Sequence, residues 1–86
     1  MPSIRRVSSQ VDPNDAARRI VSTIEKCGVL ELQAVGDNAI SRAVKAVAIA
    51  KKLIAPNRDM VCTPSFMVAN VNGEKTSGIK LVVENR

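Results

Sequence analysis

The chain has 86 residues, which sets one domain, and it carries thirteen basic against eight acidic side chains for a net charge of +5. Apolar residues make up 45% of it, which excludes a polar disordered chain, and the lack of histidine removes the commonest acid–base group and the usual zinc sets. A domain this small buries only roughly 60% of its unfolded surface, so any apolar surplus favours self-association, while the cation surplus attracts polyanions.

Residues 3–8, SIRRVS, predict a short strand. Arg5 and Arg6 are followed by polar residues and not by an apolar core, so no secretory signal is expected. Asp12-Pro13-Asn14-Asp15 is a helix start: Asp12 caps, Pro13 suits the first turn, and Asp15 favours the positive end of the dipole. Ala17, Ile20, Val21 and Ile24 then recur at helical spacing, with Lys26 in the last turn and Gly28 after it. This gives a helix over about 13–27 with Arg18 and Arg19 pointing outward.

Residues 29–35 alternate. Leu30, Leu32 and Ala34 face one way and Glu31 and Gln33 the other, the pattern of a strand covered on one side. Gly36 breaks it, and a second helix is expected over about 37–54, where Pro56 stops it. The buried arc expected for that helix is Ala39, Ile40, Ala43, Val44, Ala46, Val47, Ala50, Leu53 and Ile54, with Lys51 near its edge and its ammonium turned outward. Residues 59–84 form a hairpin about Asn72-Gly73, the strongest short signal for a type I′ turn. Centring the turn there sets Phe66 opposite Ile79 and Cys62 opposite Val83. Pro64 confines its strand to an edge or a bulge. At ~3.3 Å per residue that strand spans about 40 Å, so the tip, residues 70–76, projects as an arm.

The order strand–helix–strand–helix–strand–strand implies a two-layer α+β domain: a mixed four-stranded sheet with both helices on one face, a right-handed first crossover, and a protruding hairpin. No linker or repeat divides it. Cys27 and Cys62 make no CxxC pair and suit small buried hydrophobes of a reducing compartment. The longest apolar stretches are too short to span a bilayer. The expectation is a cytoplasmic protein without membrane, metal or cofactor.

Catalytic chemistry finds little support. The carboxylates sit beside basic residues or at helix starts, and no base is placed to activate Ser41. The strand–Gly–helix junction lacks a phosphate-loop pattern, and Asp37 there would repel phosphate. The basic groups are the better candidates. Arg42, Lys45 and Lys52 flank Ile49 on one side of the second helix. A solvated charged face accounts for the cations, but a bare Ile49 among them calls for a cover, either a twofold partner or a nucleic-acid sugar edge. Arg5, Arg6, Ser9 and Gln10 lead into the first helix with groups that suit phosphate contacts. Asn72 and Lys75 mark the arm, which fits a minor groove or a plain exposed hairpin equally well. Phe66 is the only aromatic residue, which argues against stacking platforms for single strands. DNA or RNA bound here would be held mainly through phosphates.

VSSQVDPN at 7–14, GVLELQAVG at 28–36, the Ala-rich tract to Pro56, MVCTPSF at 60–66 and GIKLVVE at 78–84 together resemble the stage V sporulation protein S family. More distantly, AISRAVKAV at 39–47 is similar to the archaeal chromatin proteins of the Alba family. The resemblance implies an Alba-like fold, a homodimer or tetramer, and a bacterial regulatory role in spore formation. It implies nucleic-acid contacts at Ser9 to Asp12, at Asn38 with Arg42 and Lys45, and at Asn70 to Lys75. Where Alba has paired basic residues before the loop proline, this chain has Val11 and Asp12 ahead of Pro13. The alternative is a protein-interaction adaptor in sporulation or cell development, using the same fold and the Ile49 patch without nucleic acid.

Overall fold

The computed structural model describes residues 3–86. Strand β1 (Ser3–Val7), helix α1 (Pro13–Cys27), strand β2 (Val29–Val35), helix α2 (Asp37–Ile54), strand β3 (Met60–Val71) and strand β4 (Glu74–Asn85) follow in that order. They build one sheet, ordered β1-β2-β4-β3, in which β1 runs parallel to β2 and the other pairs are antiparallel. The α+β layout with a mixed four-stranded sheet is the one the sequence patterns imply.

Local chemistry sets the ends of α1. Asp12 has an extended backbone, and its Oδ1 accepts from the Asn14 N–H at 2.9 Å, while Pro13 opens the helix. At the far end Gly28 takes φ +80°, and its N–H donates to the Ile24 carbonyl at 2.9 Å. Helix α2 has no side-chain cap. What holds it down is a line of alanines, Ala39, Ala43, Ala46 and Ala50, all buried. Spaced by four, three and four residues, they form one ridge and let the helix lie close on its neighbours. The core joins this ridge to Ile20 and Ile24 of α1 and to Leu30, Leu32 and Ala34 of β2, with Leu81, Val83 and Met60 beyond.

The buried arc of α2 is narrower than its apolar pattern. Val44 and Leu53, expected inside, are 51% and 57% exposed. Two helices over four strands leave the flanks of α2 uncovered. Ile40, Val47 and Ile54 are half-buried against the core, as is Ile49.

The hairpin register matches the expected one, Phe66 opposite Ile79 and Cys62 opposite Val83, and Pro64 sits on edge strand β3 with unbroken pairing on either side. Strand β2 pairs with β4 only as far as Val35 opposite Gly78. Beyond that row, β3 and β4 continue alone to the turn at Asn72 (φ +52°) and Gly73 (φ +82°). This two-stranded arm helps stretch the molecule to 43 × 26 × 17 Å. Gly78 sits at its root, where an added Cβ would lie 2.8 Å from the Ala34 carbonyl oxygen.

Candidate nucleic-acid interface

Three of the segments singled out in the sequence meet at one end of the sheet. Because β1 and β2 are parallel, both helices start from that end, after Val7 and after Val35. The arm leaves β2 behind at the same end, past Gly78. The loop at residues 8–12, the first turns of α2 and the arm therefore surround one region. Ser9, Gln10, Asn38 and Lys45 are exposed there, as are Asn72 and Lys75 on the arm. The Gln10 N–H donates to Ser8 Oγ at 2.9 Å, which bends the loop ahead of the Asp12 cap.

Arg42 is half-buried, and its Nη1 donates to the Val11 carbonyl oxygen at 2.9 Å. The guanidinium thus ties α2 to the loop before α1, a contact that residue spacing gave no sign of. Acidic side chains share this end: Asp12 at the α1 cap, Asp37 at the start of α2 and Glu74 in the arm, all exposed. The cations of a single protomer are interleaved with them.

Other expected residues lie elsewhere. Arg6 pairs in register with Gln33, so it lies on the sheet face turned away from the helices. There its Nη2 reaches Gln33 Oε1 at 3.4 Å, and Gln33 Nε2 donates to Glu31 Oε2 at 2.7 Å. Arg5 aligns with the buried Leu32, which puts it on the helix side of the edge strand. Lys52 falls in the last turn of α2, some 20 Å along the axis from Asn38 at ~1.5 Å per residue. Its neighbour Lys51 pairs with Asp59, Nζ to Oδ1 3.4 Å, before β3 begins.

Ile49 is not the bare residue its pattern suggests. It is half-buried and packs against the core, because the α2 flank that carries Arg42 turns toward α1 and its loop. Uncovered apolar surface remains at Leu53, 57% exposed near the end of this flank, and at Val44 on the opposite flank. Val44 and Lys51 are seven residues apart and share a flank, and the Lys51–Asp59 pair shows that this flank faces β3. On β3 the helix-side positions Phe66 and Val68 are 87% and 68% exposed. The lone aromatic side chain of the protein is thus almost wholly in solvent, on one strand face with Val68 and on the side of the fold that carries Val44. The only sequence signal for this surface was Phe66 itself, on a strand too long for its neighbours to cover.

Cys27 is exposed, contrary to the buried role expected of it, since it lies past Ile24, the last core contact of α1. Cys62 is half-buried, and burial pushes its thiol pKa up. Among the described residues no group of three His, Cys, Asp or Glu side chains is placed to hold a metal ion, and no helix is long and apolar enough to cross a membrane.

A family model described as Stage V sporulation protein S (SpoVS) matches residues 3–86. Among solved structures, Alba from Thermoplasma volcanium is similar with a TM-score of 0.68, over 95% of this chain and 99% of that one. Sequence identity between the two is 15%, so the likeness is one of fold.

Proposed function

This chain belongs to the stage V sporulation protein S family, and from that premise we propose that it is a non-enzymatic regulatory protein of the cytoplasm that binds DNA or RNA through backbone phosphates. The carrying observation is the convergence of the 8–12 loop, the start of α2 and the arm at one end of the sheet. Ser9, Gln10, Asn38, Arg42 and Lys45 supply the donors at the body, and Asn72 and Lys75 extend them along the arm. Arg6 and Lys52 lie outside this track. Two copies pair through the strip of Val44, Phe66 and Val68, which burial within one protomer leaves open.

Fluorescence anisotropy with labelled duplex DNA and RNA tests this reading. Affinity is expected to fall steeply with salt, since each phosphate neutralised on B-DNA adds about −0.9 to the slope of log K against log salt. Absence of binding at ~50 mM salt, or binding without salt dependence, rejects it. The adaptor reading has one observation in its favour: Asp12, Asp37 and Glu74 are interleaved with the cations where phosphate would lie. Stoichiometric capture of a protein partner by a chain that ignores both duplexes would establish it.

A further inference from the structure

A concavity lies beside β1, on the helix side of the sheet. Its volume is about 230 Å³. Its floor is aliphatic, formed by Val7, Ile20, Leu32 and Ala46, each of them nearly or fully buried from bulk solvent. The gap exists because small residues stand where large ones would close it. Ala16 on α1 and Ala46 on α2 both border it. Arg5 and Arg19 also border this gap.

The charges around this gap are not balanced. Asp12 and Asp15 also border it; Asp15 has an ion-pair partner, while Asp12 keeps its charge at the helix cap and is outnumbered by Arg5 and Arg19. Asp12 Oδ1 caps α1 through the Asn14 N–H, and Asp15 Oδ1 pairs with Arg18 Nη1 at 3.0 Å. Arg5 and Arg19 make no ion pair among the described residues. Arginine beside an apolar recess suits a planar carboxylate at the rim with hydrocarbon beneath it. A dry cavity of about 150 Å³ holds a six-carbon ring, so this one takes about nine carbon-sized atoms.

We propose that the cleft between β1 and α1 binds a medium-chain aliphatic carboxylate, its head held by Arg5 and Arg19 and its chain laid over Val7, Ile20, Leu32 and Ala46. The site lies away from the arm but borders Val11 and Asp12 of the 8–12 loop, and it stands whether or not the chain binds nucleic acid.

Octanoate is the probe, titrated into the full chain and followed by amide chemical shifts, with octanol and octylamine as head-group controls and butyrate as the length control. Octanoate is expected to bind with a Kd of about 1 mM or tighter, within reach of a ligand of about ten heavy atoms. The shifts should concentrate at Val7, Ala16, Ile20 and Ala46. Octanol and butyrate should bind at least about tenfold more weakly, and octylamine not at all. Ala16→Leu fills the recess and should abolish binding. Arg19→Gln leaves the recess open and should weaken octanoate about tenfold without changing octanol. Circular dichroism checks that both variants fold. If Ala16→Leu is unfolded, the Arg19→Gln contrast between octanoate and octanol decides alone. No octanoate shifts at ~10 mM, ten times that Kd, overturns the proposal. So does equal affinity for octanoate and octylamine, or unchanged octanoate affinity in Arg19→Gln.

Discussion

Arg42 Nη1 and the Val11 carbonyl oxygen, 31 residues apart in sequence, are 2.9 Å apart in space. This bond joins the first turns of α2 to the loop whose next residue, Asp12, caps α1. Two of the three segments of the proposed interface are thereby fixed to each other. Arg42 still has other guanidinium N–H groups to offer a phosphate, since the fork carries five donors and one is engaged here.

Arg42 therefore has a structural and a binding role that substitution separates. Arg42→Ala loses both and should lower stability by about 1.5–3 kcal/mol, the usual range for a hydrogen bond from a charged group. Arg42→Lys keeps the charge and loses the fork, so nucleic-acid affinity should fall less than in the alanine variant. The charge-reversal pair Arg42→Glu with Lys45→Glu should weaken binding at least about tenfold, because it replaces attraction at two points by repulsion. Urea titration and anisotropy on the same samples check this. Equal affinities across the three variants would remove α2 from the interface.

The two exposed-looking apolar residues, Ile49 and Phe66, should respond oppositely to a charge. Phe66→Asp changes a side chain that is 87% exposed in the protomer, so the fold should survive and the dimer should dissociate. Ile49→Asp introduces a carboxylate against the core and should unfold or strongly destabilise the protein, by about 2 kcal/mol or more. Sedimentation velocity with thermal melting distinguishes them. A Phe66→Asp protein that sediments unchanged would take the strip out of the dimer interface.

The contrast between these residues shows where pattern reading succeeds. Element order, the caps at Asp12 and Gly28, and the hairpin register are local matters, fixed by residues a few positions apart or by the Asn72-Gly73 turn, and they were legible. Which flank of α2 is covered is a tertiary matter. The apolar pattern put Val44 inside and Ile49 outside, and the docking of α1 on one flank reverses the two. The Arg42 bond was hidden for the same reason: its acceptor is a backbone carbonyl in a loop, which carries no side-chain signature. Arg6 and Lys52 were each grouped with their sequence neighbours as nucleic-acid contacts, whereas strand parity and helix rise place them away from that end of the sheet.

The two thiols should react at different rates. Cys27 is exposed, while Cys62 is half-buried with its pKa raised by desolvation, so less of it is thiolate at pH 8. A disulfide reagent at that pH should label one thiol quickly and the other at least about tenfold more slowly. In denaturant the rates should converge. Cys62 also sits on the helix side of β3, on the same face as Phe66, so Phe66→Asp should speed its labelling if pairing shields that face. Equal rates in the native protein would contradict the burial of Cys62.

Gly78 and Gly73 separate the stability of the body from the placement of the arm. An added Cβ at Gly78 would meet the Ala34 carbonyl oxygen at 2.8 Å, a backbone atom that can yield only if β2 and β4 move apart. Gly78→Ala should therefore cost about 1–3 kcal/mol, the usual range for overpacking, and lower the urea midpoint of the whole domain. Gly73 has open space around it and φ +82°, so Gly73→Ala strains the turn alone, by about 1–2 kcal/mol. That strain falls on a ribbon beyond the last β2 pair, where it loosens Asn72 and Lys75 without reaching the core. Gly73→Ala is thus expected to lower the melting temperature less than Gly78→Ala does and to reduce nucleic-acid affinity if the arm makes contacts. Full affinity in Gly73→Ala, with hydrogen exchange showing a frayed tip, would mean that the arm is not part of the interface.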